Sequence, residues 1–294
     1  MNPFLKYVSD YSHVLKEGAL IPLGGLAPLP QPALPAQAPK VLLFSPHPDD
    51  ECIAGALPLR LLREAKYNVI DVAVTQGSLK ERQAERLIEL KNACGFLGLG
   101  LIQTRENGLE KINVKTRDQD PKGWAASVET IVDLLHRQQP RAIFFPHELD
   151  WNSSHIGTHF LAMDALQEME PAFSVIVVET EFWGQMATPN LMVESTPEEV
   201  ADLVAALSFH VGEVKRNPYH LRLPAWMQDN VRRGGELVGG QGGAAPDYEF
   251  STLYRLSRWA NGRLEKALEK GRSMGRDDKL GELMDSLFKP KIIG

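Results

Sequence analysis

The sequence is poor in the features that mark several classes of protein. Its 294 residues include only two cysteines, Cys52 and Cys94, which are too few for a disulfide framework and are not spaced as a CxxC zinc pair. No apolar run approaches the ~20 residues that cross a bilayer, and Met1 to Lys16 lack the apolar core of a signal peptide. We therefore expect two buried thiols, no membrane span and a cytoplasmic protein.

Positive charge and phosphate-binding motifs are also scarce. Acidic residues outnumber basic ones by 38 to 32, and the formal net charge is −6, which disfavours nucleic acid or an anionic membrane as partner. No GxGxxG follows the first apolar run, and the glycine-rich stretch 234–243 lacks the lysine and hydroxyl residue of a P-loop. We expect neither nucleic acid nor a dinucleotide as ligand. The sequence leaves the oligomeric state open, and a homo-oligomer is possible.

What the sequence does contain is a regular alternation of apolar runs and amphipathic segments from Lys40 onward. The apolar runs predict strands at 41–44, 68–75, 101–102, 141–146 and 174–179. The amphipathic segments predict helices at 52–66, 79–97, 124–138 and 155–169. Strands that alternate with helices form βαβ units, so we expect an α/β fold with a mostly parallel sheet.

The two ends of the chain depart from this alternation. Residues 4–16 predict a short helix, and the uncharged, proline-rich stretch 21–39 predicts an extended connector. Further on, the pattern predicts a helix at 197–209, a loop-like segment at 210–248 and a helix at 249–272. We expect residues 1–39 to form an N-terminal helix and Pro-rich connector, and residues 40–294 to form one domain with loops at about 182–250.

Two polar clusters follow predicted strands. The first is SPHPDDE at 45–51, and the second, at 146–159, contains three of the eight histidines of the chain. Ligand sites of such sheets lie beyond the carboxyl ends of the strands. We therefore expect the two clusters to meet at one edge of the sheet.

The residue types in these clusters predict a metal site. Four ionisable side chains within His47–Glu51 are costly to place together unless a cation or hydrogen bonds hold them. Histidine with carboxylate is a common zinc set, and a catalytic zinc usually has three protein ligands. His155 and His159 lie one turn apart on the predicted helix. The alternatives are a solvated acidic turn, or Asp50 as the cap of the helix at 52–66.

Three stretches of the chain together resemble the LmbE/PIG-L family of metal-dependent N-deacetylases. They are HPDDE after the first strand, Thr75-Gln76-Gly77 after the second, and the helical segment from Arg86 through Ala93 to Gly98, within a region of about Val41 to Glu181. The resemblance implies a Rossmann-like three-layer sandwich and zinc or another divalent metal. It also implies a hydrolase that acts on a linear amide, with a small-molecule N-acyl sugar or glycoconjugate, such as an N-acetylglucosamine-like compound, as its substrate.

The resemblance further implies roles for individual residues of the first cluster. It makes His47 and Asp50 metal ligands and Asp49 the general base. The third ligand of the family is the last histidine of a sequence resembling HPDH or HxNH. Aligned on NSSH, that residue is His155, with His159 as the alternative.

The same alignment exposes one departure from the family. Asn152 stands where the family usually keeps a second histidine, which aids the tetrahedral intermediate. We expect His147 or His159 to take over this catalytic role, although the role is also open to loss.

Basic side chains elsewhere in the chain are candidates for binding the substrate. They are Arg86, Arg216, His220 and Arg222. Arginine suits carboxylate or phosphate, and the aromatic residues beside the last three suit sugar rings. The alternative is that the arginines at 216 and 222 pair with Glu213 or Asp229 and only brace the segment.

Two other functions compete with an N-deacetylase. A magnesium-dependent phosphoryl transfer through Asp49 or Asp50 is disfavoured by the histidines, because magnesium prefers oxygen ligands. A non-catalytic sugar- or metal-binding member of the same fold is favoured by Asn152. It is disfavoured by Asp49, because a protein that only binds does not need a base beside its metal.

Overall fold

The alternating segments fold as one mixed sheet with helices on both faces in the computed structural model, which describes residues 2–288. The strands are β1 (Lys40–Ser45), β2 (Asn68–Ala73), β3 (Gly100–Gln103), β4 (Ala142–Pro146), β5 (Val175–Thr180), β6 (Leu191–Ser195), β7 (Phe250–Ala260), β8 (Arg263–Lys266) and β9 (Arg272–Met274). Their order across the sheet is β3-β2-β1-β4-β5-β7-β6-β9, with β8 beside β7. The first five are parallel, whereas β7 runs antiparallel to β5 and β6.

The helices divide between the two faces of the sheet. In chain order they are α1 (Leu5–Gly18), α2 (Ala56–Arg63), α3 (Gln83–Leu97), α4 (Val114–Gln119), α5 (Pro121–Gln138), α6 (Ser153–Gln167), α7 (Pro197–Leu207), α8 (Val211–Arg216), α9 (Leu223–Leu237) and α10 (Leu280–Phe288). One buried cluster joins the sheet to α2, α3, α7, α9 and α10, and a second joins it to α5 and α6. The expected three-layer α/β sandwich is confirmed.

Strand β1 shows how the sequence builds both layers. Val41 and Leu43 lie in the first cluster, while Leu42 and Phe44 lie in the second, because successive side chains of a strand point to opposite faces. A strand buried on both faces is therefore a continuous apolar run. The two cysteines are buried and unpaired, as expected.

The N-terminal segment lies against the sandwich. No residue of α1 is buried. The connector that follows is held by the Leu29 N–H, which donates to Phe96 O at 3.1 Å, and by the Gly24 N–H, which donates to Ser208 Oγ at 3.1 Å. Within residues 2–288, no helix combines the length and apolarity needed to cross a bilayer.

The expectation of a loop-like segment at 210–248 is wrong, because α8 and α9 lie within it. Pro224 falls in the first turn of α9, where the missing N–H of proline costs nothing. Leu223, Met227 and Val231 then recur every four residues on its buried side. The range 182–250 also contains β6, which was not predicted, and α7, which matches the helix predicted at 197–209.

The helix expected at 249–272 is also wrong, because β7 and β8 occupy most of that range. The mixed apolar pattern of 250–260 fits a strand as well as a helix, and pairing with β5 decides for the strand. The turn between β7 and β8 is Asn261-Gly262, with positive φ at both residues. Asn-Gly is a strong hairpin signal, and it was available in the sequence.

Candidate active site

The HPDDE segment forms a tight turn at the end of β1. The Thr75 hydroxyl, at the end of β2, donates to Pro46 O at 2.7 Å and braces the turn. Asp49 has φ +119°, a backbone conformation that side chains other than glycine rarely adopt and that is often found at active sites. A short 3₁₀ turn over Asp50–Cys52 follows, so the helix predicted at 52–66 begins only at Ala56.

Three side-chain atoms converge beside this turn. His47 Nδ1 lies 3.3 Å from His155 Nε2 and 3.5 Å from Asp50 Oδ2, and the last two atoms are 3.3 Å apart. A tetrahedral zinc with bonds of ~2.1 Å separates its ligand atoms by about 3.4 Å. Asp50 Oδ1 is buried and has no hydrogen-bond partner within residues 2–288. The donor set and its spacing therefore fit a zinc ion.

The charges around these atoms favour a cation. Burial raises the pKa of Asp50, but His155 and His47 outweigh it and hold that pKa well below its usual range. Burial lowers the pKa of His155, but Asp50 and Asp150 outweigh it and raise that pKa to about 10. Without a metal ion, the two carboxylates therefore favour the protonated form of His155. Metal binding would require the neutral imidazole and would release that proton.

Asp150 orients His155 from behind. Its Oδ1 lies 3.3 Å from His155 Nδ1, and its Oδ2 accepts from the backbone N–H groups of Trp183 and Gly184, both at 3.0 Å. A carboxylate behind a ligating histidine is common in zinc sites because it fixes the ring and its tautomer. Asp150 lies within the second sequence cluster but is not among the predicted site residues.

Asp49 lies beside the ligand atoms rather than among them. Its Oδ2 accepts a hydrogen bond of 2.5 Å from the Tyr219 hydroxyl. Burial, and then the charge of Asp50, raise the pKa of Asp49 to about 7. The sequence places Tyr219 only among the aromatic residues suited to a sugar ring, because nothing in the sequence indicates that a residue 170 positions away reaches Asp49.

Glu51 holds the backbone of this turn. Its Oε2 accepts from the Asp49 N–H at 2.8 Å, and its Oε1 accepts from His210 Nε2 at 2.6 Å. Both side chains of the Glu51–His210 pair are fully buried. The pair therefore fixes Asp49 in its unusual conformation. His210 has no neighbouring motif that would have identified it.

Arg86 reaches the turn from α3. Its Nη2 donates to Pro48 O at 2.9 Å. Burial is the main cause of the raised pKa of Asp49 and of the lowered pKa of His47, and the charge of Arg86 opposes the first shift and adds to the second. Gly77 has φ +82°, and a Cβ there would lie 2.3 Å from Arg86 Nη1. The glycine of the TQG motif therefore leaves space for the arginine.

The structure does not bring the two histidines with a predicted catalytic role to the ligand atoms. His147 accepts from the Leu149 N–H through Nδ1 and donates to Gly184 O through Nε2. His159 Nδ1 lies 3.1 Å from Pro146 O and 3.4 Å from a Glu179 carboxylate. Both imidazoles therefore hold neighbouring loops and strands.

Asn152 has a structural use of its own. It is the N-cap of α6, and its side-chain oxygen accepts from the Ser154 N–H at 2.8 Å. Asn152 therefore fixes the start of the helix that carries His155.

The basic residues predicted to bind substrate fall into different environments. Arg216 pairs with Glu213, which favours the bracing alternative for this residue, and His220 is buried. Arg222 is exposed, and its guanidinium makes no hydrogen bond or ion pair within residues 2–288. It lines a cavity of about 290 Å³, together with Tyr219.

The comparisons with known proteins bear on the same region of the chain. Residues 42–166 match the family model described as PIG-L, GlcNAc-PI de-N-acetylase. No curated protein matches the chain. N,N'-diacetylchitobiose deacetylase from Pyrococcus horikoshii is similar in structure, with 18% identity and a TM-score of 0.54 over 87% of this chain and 93% of that chain.

Two further solved structures share the fold. The conserved protein TT1542 from Thermus thermophilus has 18% identity and a TM-score of 0.54 over 73% of this chain and 93% of that one. GalB, the 4-carboxy-2-hydroxymuconate hydratase from Pseudomonas putida, has 16% identity and a TM-score of 0.54 over 74% of this chain and 95% of that one. A hydratase among them means that the fold alone does not decide the reaction.

Proposed function

We propose that this chain, of which residues 42–166 match the PIG-L family model, is a zinc-dependent hydrolase that removes an N-acetyl or other N-acyl group from a sugar or sugar conjugate. The observation that carries the proposal is the triangle of His47 Nδ1, Asp50 Oδ2 and His155 Nε2 with the buried carboxylate of Asp49 beside it. This arrangement combines a zinc-type donor set with a base, which is what amide hydrolysis by water requires.

His47, Asp50 and His155 would hold the metal, which, when bound, supplies a Lewis acid for the amide carbonyl and for the attacking water. Asp49 takes the proton from that water. Asp49 is next to Asp50 in the chain, and its N–H donates a hydrogen bond to the Glu51 carboxylate. Both features keep the Asp49 carboxylate near the reacting atoms. The same Asp49 then returns the proton to the departing amine, which must be protonated to leave.

Tyr219 is our candidate for the role of the histidine that Asn152 replaces. In the resting site its hydroxyl donates to Asp49 at 2.5 Å. Once Asp49 carries the proton of the water, it is neutral and accepts a hydrogen bond less strongly than the carboxylate did. The hydroxyl is then free to donate to the oxyanion that develops on the former carbonyl oxygen.

Two of the basic residues remain candidates for binding the substrate. Arg86 places positive charge beside Asp49, and Arg222 offers an unpaired guanidinium at the wall of the cavity. A guanidinium can bind hydroxyl, carboxylate or phosphate groups of a sugar conjugate. Arg216 is held by its ion pair with Glu213 and His220 is buried, so these two are the weaker candidates.

The test is a screen of N-acetylated and longer N-acylated sugars for release of free amine by the zinc-loaded protein. We expect turnover of at least one N-acyl sugar, loss of turnover after metal removal by a chelator, and its return on addition of zinc. Turnover that is unaffected by chelation, with no metal in the purified protein, would contradict the proposal.

A non-catalytic sugar- or metal-binding protein is the second candidate. The use of Asn152 as a helix cap favours it, because the family histidine is absent. The hydrogen bond between Tyr219 and the Asp49 carboxylate argues for an enzyme. Stoichiometric zinc with no amine release from any N-acyl sugar in the screen would favour the second candidate.

A further inference from the structure

Tryptophan side chains gather around one cavity. The chain has five tryptophans, of which Trp124 and Trp259 lie in the core at 6% and 2% exposure. The other three, Trp151, Trp183 and Trp226, line the cavity of about 290 Å³ next to the candidate active site. Trp151 is 77% exposed and Trp183 is 37% exposed. Apolar surface left in water costs free energy in proportion to its area, and such patches mark binding sites.

The rest of the cavity wall combines three apolar side chains with four that carry a polar group. Besides the tryptophans it consists of Ile53, Phe182, Gln185, Asn217, Tyr219, Arg222 and Leu223. A sugar ring carries hydroxyls on most of its carbons, and a hydroxyl buried without a partner is unfavourable. Gln185, Asn217, Tyr219 and Arg222 can bind some of the hydroxyls of a sugar, but the indole faces and the side chains of Ile53, Phe182 and Leu223 offer the others no partner. This apolar part of the wall matches an aromatic ring or an alkyl chain.

The wall is held in place before any ligand arrives. A Cβ on Gly184 would lie 2.7 Å from Asp150 Cα, so the loop that carries Trp183 sits directly on the loop before α6. Arg233, on α9, makes two hydrogen bonds of 2.9 and 2.7 Å to the buried carboxylate of Glu181. This ion pair fixes the helix that carries Trp226 to the end of β5. A preformed wall loses little freedom on binding.

The wall is in direct contact with the catalytic groups. The Phe182 ring packs edge-on against His155, with 5.4 Å between ring centroids. The Tyr219 ring meets Trp183 at 5.2 Å, while its hydroxyl bonds to Asp49. A single substrate can therefore place one group in this cavity and its amide beside the metal ligands.

We propose that this aromatic cavity binds an apolar group of the substrate, a ring or an alkyl chain, attached to the N-acyl sugar either as its acyl group or as its aglycone. The inference rests on the proposed function and makes it more specific. Free N-acetyl sugars are then poor substrates, and N-acyl sugars with a hydrophobic substituent are good ones.

Two substrate series distinguish the two sources of the apolar group. In the first, methyl glucosaminide carries an acetyl, hexanoyl or phenylacetyl group on nitrogen. In the second, N-acetylglucosaminide carries a methyl, phenyl or naphthyl aglycone. We expect kcat/KM of the zinc-loaded protein to rise about tenfold or more along one series, and that series identifies the source. Values that stay flat along both series would overturn the proposal.

A matched pair of variants tests the wall itself. Trp151→Ala removes an exposed ring from the cavity, and Phe4→Ala removes a comparably exposed ring, at 70% exposure, at the N-terminus. Trp151→Ala should reduce the ratio of kcat/KM for the apolar over the small substrate by about two- to tenfold. Phe4→Ala should leave that ratio unchanged. An equal ratio in wild type and Trp151→Ala would contradict the proposal.

Binding without hydrolysis separates failure of this inference from failure of the proposed function. Asp49→Asn protein is titrated by calorimetry with phenyl β-glucoside against methyl β-glucoside, and with phenylacetamide against acetamide. We expect at least one phenyl compound to bind about tenfold or more tightly than its small analogue. If neither does, the cavity proposal is wrong. If one does while no N-acyl sugar is hydrolysed by the wild type, the cavity proposal stands and the proposed function fails.

Discussion

Two neighbouring clusters at the carboxyl ends of the parallel strands have similar residue types but different partners. One contains His47, Asp50 and His155, and the other contains His159 with the carboxylates of Glu148 and Glu179. In each, three possible ligand atoms lie within 4.8 Å of one another. In the second cluster, however, the Arg255 guanidinium bonds to both carboxylates.

The difference shows what distinguishes a metal site from an ion pair of similar composition. Arg255, on β7, lies opposite Glu179 in the sheet and supplies the positive charge that two carboxylates require. The first cluster has no such arginine or lysine bonded to its ligand atoms within residues 2–288. Its positive charge must come from a proton or a metal ion, which favours it over the second cluster as the candidate metal centre.

The largest expected effect comes from replacing a matched histidine in each cluster. His155→Gln should reduce bound zinc from about one ion per chain to nearly none and abolish turnover, because it removes a ligand. His159→Gln should keep the zinc, because its partners are Pro146 O and Glu179. Elemental analysis of both purified variants, with melting temperatures to confirm folding, decides. Zinc lost only from His159→Gln would make His159 the third ligand.

The next effect separates metal binding from chemistry within the first cluster. Asp49→Asn should keep zinc near the wild-type level and lower kcat by about 10²–10⁴-fold, because it removes the base but no ligand. Asp50→Ala, one residue further, should lose the zinc itself. Near-normal kcat in Asp49→Asn on an identified substrate would show that another group takes the proton.

Tyr219→Phe should have a smaller effect of the same kind. It removes only the hydroxyl and keeps the ring that lines the cavity, so kcat should fall about 10²-fold with little change in KM and no change in zinc content. A rise in KM with unchanged kcat would instead mean that Tyr219 only positions the substrate.

The sequence predicted the first half of the chain well because its signals are local. Continuous apolar runs define β1, β2, β4 and β5, and the ends of those strands place His47 and His155 together. The C-terminal part depends on distant partners. Residues 250–260 become a strand through pairing with β5, and Tyr219 and His210 reach the HPDDE turn from more than 150 residues away. No regular residue spacing in the sequence indicates these long-range contacts.

The second cluster can be broken without touching the metal. Arg255→Met leaves Glu148 and the buried Glu179 without their cation, which should lower the free energy of unfolding by about 2–3 kcal/mol, since Glu148 is partly solvated. Arg255→Lys keeps the charge and should lose less. Zinc content should not change in either. A second bound metal ion in Arg255→Met would show that the arginine occupies a true metal site.

The same variant has a pH dependence with a defined sign. Burial raises the pKa of Glu148, but Arg255 outweighs it and lowers that pKa below 4.5. A depressed pKa stabilises the folded protein above the unfolded value and loses this contribution as the pH falls. The difference in unfolding free energy between wild type and Arg255→Met should therefore be full near neutral pH and shrink below about pH 4.5. A difference that grows in acid would contradict the ion-pair interpretation.

The smallest expected effect concerns Asn152, at the start of the helix that carries His155. Asn152→Ala removes the cap that accepts from the Ser154 N–H and should cost about 1 kcal/mol of unfolding free energy. Asn152→Asp should retain the cap. At saturating zinc, kcat should be unchanged in both, because the side chain serves the helix and Tyr219 is the proposed oxyanion donor. If Asn152→Ala instead lowered kcat as far as Tyr219→Phe, with Asn152→Asp unable to restore it, the amide itself would be performing the role of the missing histidine.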